Sequence, residues 1–230
     1  MKEFITQSVY FGVVITFIGY EIGLLLQKKF KTALMNPLLI AAILIIGVLV
    51  LLDVPYEEYN KGAGYISFFL TPATVSLAIP LYRQLSILKK YPLAIFGGII
   101  AGVLTAMVSI WLLSLGFGLN HEQYVTLLPK SITTAIGMGI SDKMGGIVTL
   151  TVVAISITGI SGNVLCEAIL KLFKITEPIA KGLAIGTSAH ALGTAKAMEI
   201  GEIEGAMSSL AIVVTGIVTV LSVSVFAKFI

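Results

Sequence analysis

The amino-acid sequence predicts an all-α, polytopic transmembrane protein. Of its 230 residues, 57% are hydrophobic and only 12% are charged, whereas soluble domains carry about 25% charged residues. The mean hydropathy is +1.02, and several uncharged runs are long enough to cross a bilayer. The basic residues lie between these runs and form no stripe with interleaved aromatic residues, so no nucleic-acid partner is expected.

About seven crossings are predicted, and the first is expected to be retained because it lacks the pattern of a cleaved signal peptide. In chain order they are Phe4–Leu26, Pro37–Leu52, Ala63–Tyr82, Leu93–Leu115, Ile147–Leu170, Gly182–Glu199 and Ala206–Phe226. The third contains Pro72 and Pro80, which remove backbone donors and kink or break a helix. The fourth carries small residues, including Gly98 and Gly102, that permit close helix packing.

The segment Tyr124–Gly145 is interrupted by Pro129 and Asp142, and we expect it to be re-entrant. A re-entrant segment gives ten basic residues on one side of the membrane and three on the other, whereas a full crossing gives seven and six. The ten are Lys28, Lys29, Lys31, Arg83, Lys89, Lys90, Lys171, Lys174, Lys181 and Lys228, and the three are Lys2, Lys61 and Lys143. Because cytoplasmic loops carry the excess of lysine and arginine, the N-terminus is predicted outside the bacterial cell membrane and the C-terminus in the cytoplasm.

The chain is predicted to form one domain, residues 1–230, built from two repeat halves, 36–117 and 123–230. A shift of 116 residues pairs Thr71 with Thr187, Ala73 with Ala189, Thr74 with His190, Ala78 with Thr194, and Leu93–Leu115 with Ala206–Phe226. A weaker match pairs Ser131–Gly137 with Thr187–Gly193. Interrupted segments at matching positions of oppositely oriented halves predict an inverted repeat with a transport site near the membrane midplane.

The run Lys130-Ser131-Ile132-Thr133-Thr134 combines an ammonium group with three hydroxyls directly after a proline. Such a run at a broken helix predicts a site for a small anion, because free N–H groups at a helix start favour negative charge. The alternative is a loop lysine whose charged end reaches the membrane interface.

A second polar segment lies within Gly182–Glu199, and its predicted binding residues are Thr187, Ser188, His190 and Thr194. His190 is also a candidate for proton coupling, since a histidine titrates near neutral pH. The alternative is a histidine that forms a hydrogen bond inside a helix bundle. Lys196 has Glu199 three residues further on, which is expected to neutralise it.

The first half is expected to contribute Thr71 and Thr74 to the same site, unless Pro72 only kinks a helix. Cys166 is the one cysteine, so no internal disulfide is possible, and no Cys/His cluster has metal-binding spacing. No Ser-His-Asp order, phosphate loop or paired carboxylates are present. The sequence therefore predicts neither an enzyme nor a bound metal or cofactor.

Three motifs in register resemble the LrgB/CidB family of bacterial membrane proteins, and the likeness extends over nearly the whole chain. They are the run 178–195, the run 71–75 leading to 80–84, and Pro129-Lys130-Ser131 with Thr133-Thr134. Ala135 departs from the pattern, because many members carry proline after the two threonines.

The resemblance implies one of two functions. Members in Gram-positive bacteria are described as antiholin-like or holin-like and act with a small LrgA/CidA-type partner on murein hydrolase activity and autolysis. Relatives, including a plastid protein with fused LrgA- and LrgB-like parts, resemble transporters of pyruvate, glycolate or glycerate.

The polar residues favour a transporter or channel for small monocarboxylates of the pyruvate, glycolate, glycerate or lactate class, working as a homo-oligomer with an LrgA-like partner. One alternative is an antiholin-like regulator that acts by oligomeric pore formation or inhibition. Another is a subunit whose transport depends entirely on its partner.

Overall fold

The computed structural model describes residues 8–30, 35–69, 72, 75, 76 and 78–230, and within these ranges every regular element is a helix. The predicted all-α class is therefore confirmed for the described part of the chain. The helices are α1 (Tyr10–Phe30), α2 (Pro37–Leu51), α3 (Tyr56–Phe68), α4 (Ala78–Arg83), α5 (Leu85–Lys90), α6 (Pro92–Phe117), α7 (His121–Leu127), α8 (Thr134–Lys143), α9 (Val148–Leu172), α10 (Pro178–Ile200) and α11 (Glu202–Phe226).

Four of these helices, α1, α6, α9 and α11, are long and apolar enough to cross a membrane. The shorter helix α2 has 15 residues and is also apolar. The described residues thus contain fewer long apolar helices than the seven predicted crossings. Of the third predicted crossing, the structure describes α3 up to Phe68 and α4 from Ala78, and the described residues 72, 75 and 76 between them are also helical. The sixth is not a continuous helix.

The chain divides into two compact units, Met1–Ser76 and Leu77–Ile230. In unit 1, α1 packs against both α2 and α3. A Cβ on Gly12 would fall 2.6 Å from the Ala63 nitrogen, so the backbones of α1 and α3 touch where they cross. Asn36 begins α2, because its side-chain oxygen accepts hydrogen bonds from Leu38 N (2.9 Å) and Leu39 N (3.2 Å).

In unit 2, α11 is the central helix. Half of the residues in its most apolar 18-residue stretch are buried, whereas the corresponding share in the other three long helices is 17–28%. Its apolar residues pack against the buried face of α6, which is formed by residues spaced three to four apart, such as Ile95, Ile99 and Val103. The ring of Tyr124 on α7 completes this core, and its hydroxyl donates to the Phe226 carbonyl (3.0 Å).

Helices α7 and α8 form a hairpin, here called the first hairpin (residues 121–143). Gly137 lies against Ile155 of α9, whereas the Ser141 hydroxyl bonds to Thr151, one turn closer to the start of α9. Thus α8 runs antiparallel to α9. The Thr126 hydroxyl of α7 accepts the Ile147 N–H (2.8 Å), so α7 also lies near the start of α9. Asn120 begins α7 with a capping box.

Helix α10 is a second hairpin, made of a first arm (178–189) and a second arm (191–200) on either side of His190. The backbone angles there are φ 42° and ψ −137°, far from helical. In the first arm, Gly182 contacts Glu204 and Gly186 contacts Ser208, so this arm runs parallel to α11. The second arm runs back.

The contacts of the second arm show the reversal. Thr194 bonds to Ser208 of α11, and Met198 contacts Gly205, which comes earlier in α11. A Cβ on Gly193 would lie 2.6 Å from the Ala189 Cβ, so the two arms touch. The prediction that the interrupted segment Gly182–Glu199 crosses the membrane is not confirmed, because the break at His190 returns the chain to the end of α11 from which it came.

Unit 2 has two opposite ends, named here by their lysines. At the Lys174 end, α9 stops and α10 and α11 begin; at the Lys228 end, α9 begins and α11 stops. His121 bonds to the Ile230 carbonyl (2.6 Å), which places the chain terminus and the start of α7 together at the Lys228 end. The prediction that Lys228 shares a side with Lys171, Lys174 and Lys181 is therefore wrong, since α11 separates them along its full length.

Helices α6 and α11 run in the same direction. Gly98 of α6 lies against Leu183 and Gly102 against Thr187, so α6 is parallel to the first arm of α10 and hence to α11. Crossings related by an inverted repeat run in opposite directions. Leu93–Leu115 and Ala206–Phe226, which the sequence pairs, are therefore not related as members of an inverted repeat. The weaker match does join two broken segments that enter unit 2 from opposite ends.

Candidate functional site

A cavity of about 1090 Å³ lies between α6, the turn of the first hairpin and the first arm of α10. It brings together four of the residues predicted to bind an anion: Lys130, Ser131, Thr187 and Ser188. The two hydroxyls of α10 and the ammonium group of the first hairpin thus share one space, although 57 residues (187 minus 130) separate Lys130 from Thr187 in the chain.

Lys130 is the cation of this cavity. Its side chain is half-buried, and its Nζ donates to the buried Ser131 hydroxyl (3.1 Å). Among the described residues, no carboxylate lies within 4 Å of this ammonium group. A partly desolvated lysine without a counter-charge favours the binding of an anion, because removal from water is compensated only when the charge is paired.

The hydroxyls of Thr187 and Ser188 face the cavity from one turn of α10. Each donates back to the carbonyl four residues earlier, Thr187 to Leu183 O (2.8 Å) and Ser188 to Ala184 O (2.7 Å). Their lone pairs are free to accept a hydrogen bond. To donate to a carboxylate, each hydroxyl must turn away from its helix carbonyl.

His190 lies outside the cavity lining and supports the break in α10. The ring is 5% exposed, its Nε2 lies 3.0 Å from the Ile155 carbonyl, and it covers Gly159 of α9 so closely that a Cβ there would be 2.5 Å from the ring. This is the hydrogen-bonded arrangement expected of a structural histidine. Its predicted role in proton coupling stays a prediction.

Thr194 also acts within the packing around the break. It is fully buried, and its hydroxyl bonds to the His190 carbonyl (3.0 Å) and to the Ser208 hydroxyl (2.7 Å). The Asn163 amide of α9 donates to the Leu192 carbonyl (2.8 Å) just beyond the break. Side chains thus satisfy backbone groups that a broken helix leaves without partners.

Among the other predicted site residues, Thr133 and Thr134, which the structure describes, do not line the cavity. Thr133 immediately precedes α8 and Thr134 begins it; both are half-buried. Thr71 and Thr74 lie outside the described residues. The two breaks nevertheless meet the same part of α9, because Ile155 contacts Gly137 of the first hairpin and its carbonyl lies against His190 of the second.

Helix α6 forms one wall of the cavity. From its small residues, the sequence predicted only close helix packing there. Its lining residues include Gly98, Gly102, Thr105, Ala106 and Ser109. Glycine and alanine recur every four residues in this set, with hydroxyls beside them, so one face of the helix is both small and polar. That periodic combination is the signal in the sequence that predicts a cavity wall.

A family comparison identifies the chain. The model of the LrgB-like family matches residues 16–229. The chain belongs to the LrgB-like family. This confirms the resemblance expected from the three motifs.

Several LrgB-like relatives are named "Antiholin-like protein LrgB". The Bacillus subtilis (strain 168) protein is 43% identical over 226 residues, covering 98% of both chains. Those of Bacillus mycoides (strain KBAB4) and Bacillus cereus (strain B4264) are 42% identical with the same coverage. No solved structure matches the chain significantly. Together with the four long apolar helices, these matches show an antiholin-like family membrane protein.

Proposed function

We propose that this LrgB-like protein carries small monocarboxylates, of the pyruvate, glycolate, glycerate or lactate class, across the bacterial cell membrane. Unpaired Lys130 binds the carboxylate, and the Ser131, Thr187 and Ser188 hydroxyls accept or donate hydrogen bonds around it. The single observation behind this proposal is a half-buried lysine without a carboxylate partner among the described residues, in a cavity shared by two broken helical segments.

In the proposed membrane arrangement, both hairpins are re-entrant and their breaks lie inside the bilayer. Ile155, which neighbours both breaks, is seven residues into α9, or about 10 Å along its axis at 1.5 Å per residue. Non-helical backbone at membrane depth is tolerated where protein buries it or where it lines an aqueous cavity. The start of α8, just after Lys130, adds the partial positive charge of a helix N-terminus.

The cavity wall also suits a small organic acid. Its polar side carries Lys130 and the hydroxyls, while Leu113, Ile179 and Leu183 supply apolar surface for a short carbon skeleton. Ligand sites commonly combine an apolar lining with a few placed polar groups.

An uptake assay tests the proposal. Liposomes holding this protein alone are expected to take up radiolabelled pyruvate or glycolate, and Lys130→Ala to abolish uptake. Lys143→Ala, at an exposed lysine outside the cavity, is the matched control and is expected to transport normally. Equal uptake by wild type and Lys130→Ala contradicts the proposal. Release of large dyes indicates a pore, and activity only after adding an LrgA-like partner indicates a subunit.

The second proposed function is antiholin-like regulation of murein hydrolase activity, with a small LrgA-like partner and several copies of this chain. The relatives are named antiholin-like proteins, which supports this function more directly than it supports transport. We propose that the two are linked, with autolysis responding to the movement of an acid or of protons.

Lys130→Ala tests whether control of autolysis depends on transport. If transport drives regulation, cells carrying the variant in place of the wild-type protein show the autolysis rate of a deletion strain. If regulation is independent of transport, the autolysis rate of these cells matches wild type although uptake is lost.

A further inference from the structure

A second cavity, of about 640 Å³, lies at the Lys174 end of unit 2 and is separate from the site around Lys130. Four lysines from two helices and the loop between them converge on it: Lys171, Lys174, Lys181 and Lys196. The carboxylates in its lining are those of Glu167 and Glu199. Glu204 of α11 approaches Lys181 from outside this lining, so four cations face three anions and the cavity keeps a net positive charge.

The lysines differ in how strongly they are paired. Lys196 is held by Glu167 (2.9 Å) and Glu199 (3.0 Å). Lys171 lies 3.8 Å from Glu167 with 81% of its side chain exposed, and Lys181 lies 3.9 Å from Glu204. Both distances exceed the length of a hydrogen bond. The exposed Lys171–Glu167 pair contributes little, so Lys171 remains able to bind another anion. The Glu204 side chain is only 10% exposed, so Lys181 keeps this partner and offers its other N–H donors to a second anion.

Lys174 has no carboxylate within 4 Å among the described residues. It ends α9 at φ 53°, with the Schellman pattern of Lys174 N to Lys171 O (3.1 Å) and Ile175 N to Leu170 O (2.9 Å). Glycine is the usual residue at that position, because other residues are strained there. Lys174 therefore places an exposed ammonium group beside the cavity from a position that favours glycine.

We propose that this cavity binds a phosphate-bearing anion between Lys171, Lys174 and Lys181. Leu172 and Phe173 next to it are 74% and 70% exposed, as expected where a spanning helix leaves the hydrocarbon. At that depth the phosphate comes from an anionic lipid headgroup or from a dissolved phosphate compound, and both sources offer the same charged oxygens to the lysines.

The test uses the purified full chain in detergent and measures binding of two probes. Phosphatidylglycerol, compared with phosphatidylcholine, represents the lipid source. Inorganic phosphate, compared with chloride at equal ionic strength, represents the dissolved source. Lys174→Gly is the principal variant, since glycine suits the backbone conformation there and removes the side chain with its ammonium group. Lys228→Gly, at an exposed lysine of the opposite end, is the matched control.

At least one probe is expected to bind wild type, about fivefold more weakly to Lys174→Gly and about 25-fold more weakly to a Lys171→Ser/Lys174→Gly double variant. Lys228→Gly is expected to bind as wild type does. Preference for phosphatidylglycerol identifies a lipid site, and binding of inorganic phosphate identifies a dissolved ligand. The proposal is overturned if neither probe binds, or if the Lys174 and Lys228 variants behave alike. Either result leaves transport at Lys130 unaffected.

Discussion

At the scale of single residues, Lys130 and His190 have different environments although both are polar residues at a break between helices. Lys130 is half-buried and faces a cavity, and within the described part of the chain its side chain bonds only to the neighbouring Ser131 hydroxyl. His190 is buried, contacts the Ile155 carbonyl and lies on Gly159. The lysine is therefore available to a ligand, whereas the histidine stabilises the fold of the second hairpin.

Two substitutions at His190 distinguish the contribution of its ring to stability from that of its backbone conformation. Both His190→Ala and His190→Gly remove the contact with Ile155, but only glycine adopts the observed φ of 42° without strain. The glycine variant is expected to be more stable than the alanine variant by about 1–3 kcal/mol. Thermal unfolding of both proteins in detergent measures the difference. Equal stabilities would show that the backbone at residue 190 is not strained.

At the scale of helices, glycine spacing decides how closely α6 approaches the first arm of α10. A Cβ on Gly102 would lie 2.9 Å from the Thr187 hydroxyl oxygen, whereas a Cβ on Gly97, five residues earlier on the same helix, meets no atom within 4 Å. The two glycines therefore differ in packing, although both lie on α6 only five residues apart.

Alanine substitutions on α6 test this difference. Gly102→Ala is expected to destabilise the protein by about 1–3 kcal/mol, because a close-packed contact must open. Gly97→Ala is the matched control and is expected to leave stability unchanged or raise it by up to about 1 kcal/mol through helix propensity. Midpoints of thermal unfolding compare the two variants. Equal loss in both contradicts the close approach at Gly102.

The fold of α10 as a hairpin predicts a short distance between its two ends. In a continuous helix, Lys181 and Glu199 would be about 27 Å apart at 1.5 Å per residue. Here both line the same cavity at the Lys174 end. Spin labels on Lys181→Cys and Glu199→Cys, in a Cys166→Ser background, are expected to report a clearly shorter distance by pulsed electron paramagnetic resonance.

A pair of labels on α9 provides the control for that measurement. Lys143→Cys lies at the end of α8, close to the start of α9, and Lys174→Cys lies just past the end of α9. The two labels flank this 25-residue helix and are expected about 37 Å apart. A distance near 27 Å between residues 181 and 199 would instead support the continuous crossing.

At the scale of the whole of unit 2, the direction of α11 determines the side of the C-terminus. Lys89, Lys90, Lys171, Lys174, Lys181 and Lys196 lie at or lead into the Lys174 end, while Lys143 and Lys228 lie at the other end. Because cytoplasmic faces carry the excess of lysine, the Lys174 end is expected in the cytoplasm and the C-terminus outside. This reverses the orientation expected for the C-terminus from the sequence.

Cysteine labelling checks this orientation. In intact cells, with Cys166 replaced by serine, a membrane-impermeant maleimide is expected to label Lys228→Cys and to leave Lys174→Cys unlabelled. After permeabilisation both are expected to react, since both positions are exposed. Labelling of Lys174→Cys alone in intact cells would place the Lys174 end outside. It would contradict the orientation inferred from the distribution of lysines.

The sequence was sufficient for the class, the family and two of the interrupted segments. Composition predicted helices in a membrane, because low charge and long apolar runs leave few other stable structures. The motifs around Lys130 and Thr187 predicted which residues approach one another, and four of the ten predicted site residues line one cavity. Lysine, proline and hydroxyls at membrane depth are local signals that can be recognised without coordinates.

Only the tertiary structure decided where the chain reverses. The run 178–200 has the length of a crossing. Its glycines and polar residues indicate an interruption, but not whether the chain continues beyond His190 or turns back. The decision rests on long-range contacts with Gly159, Asn163 and Ser208, which stabilise the break once α9 and α11 are in place. The direction of α11, and hence the side of Lys228, follows from that reversal.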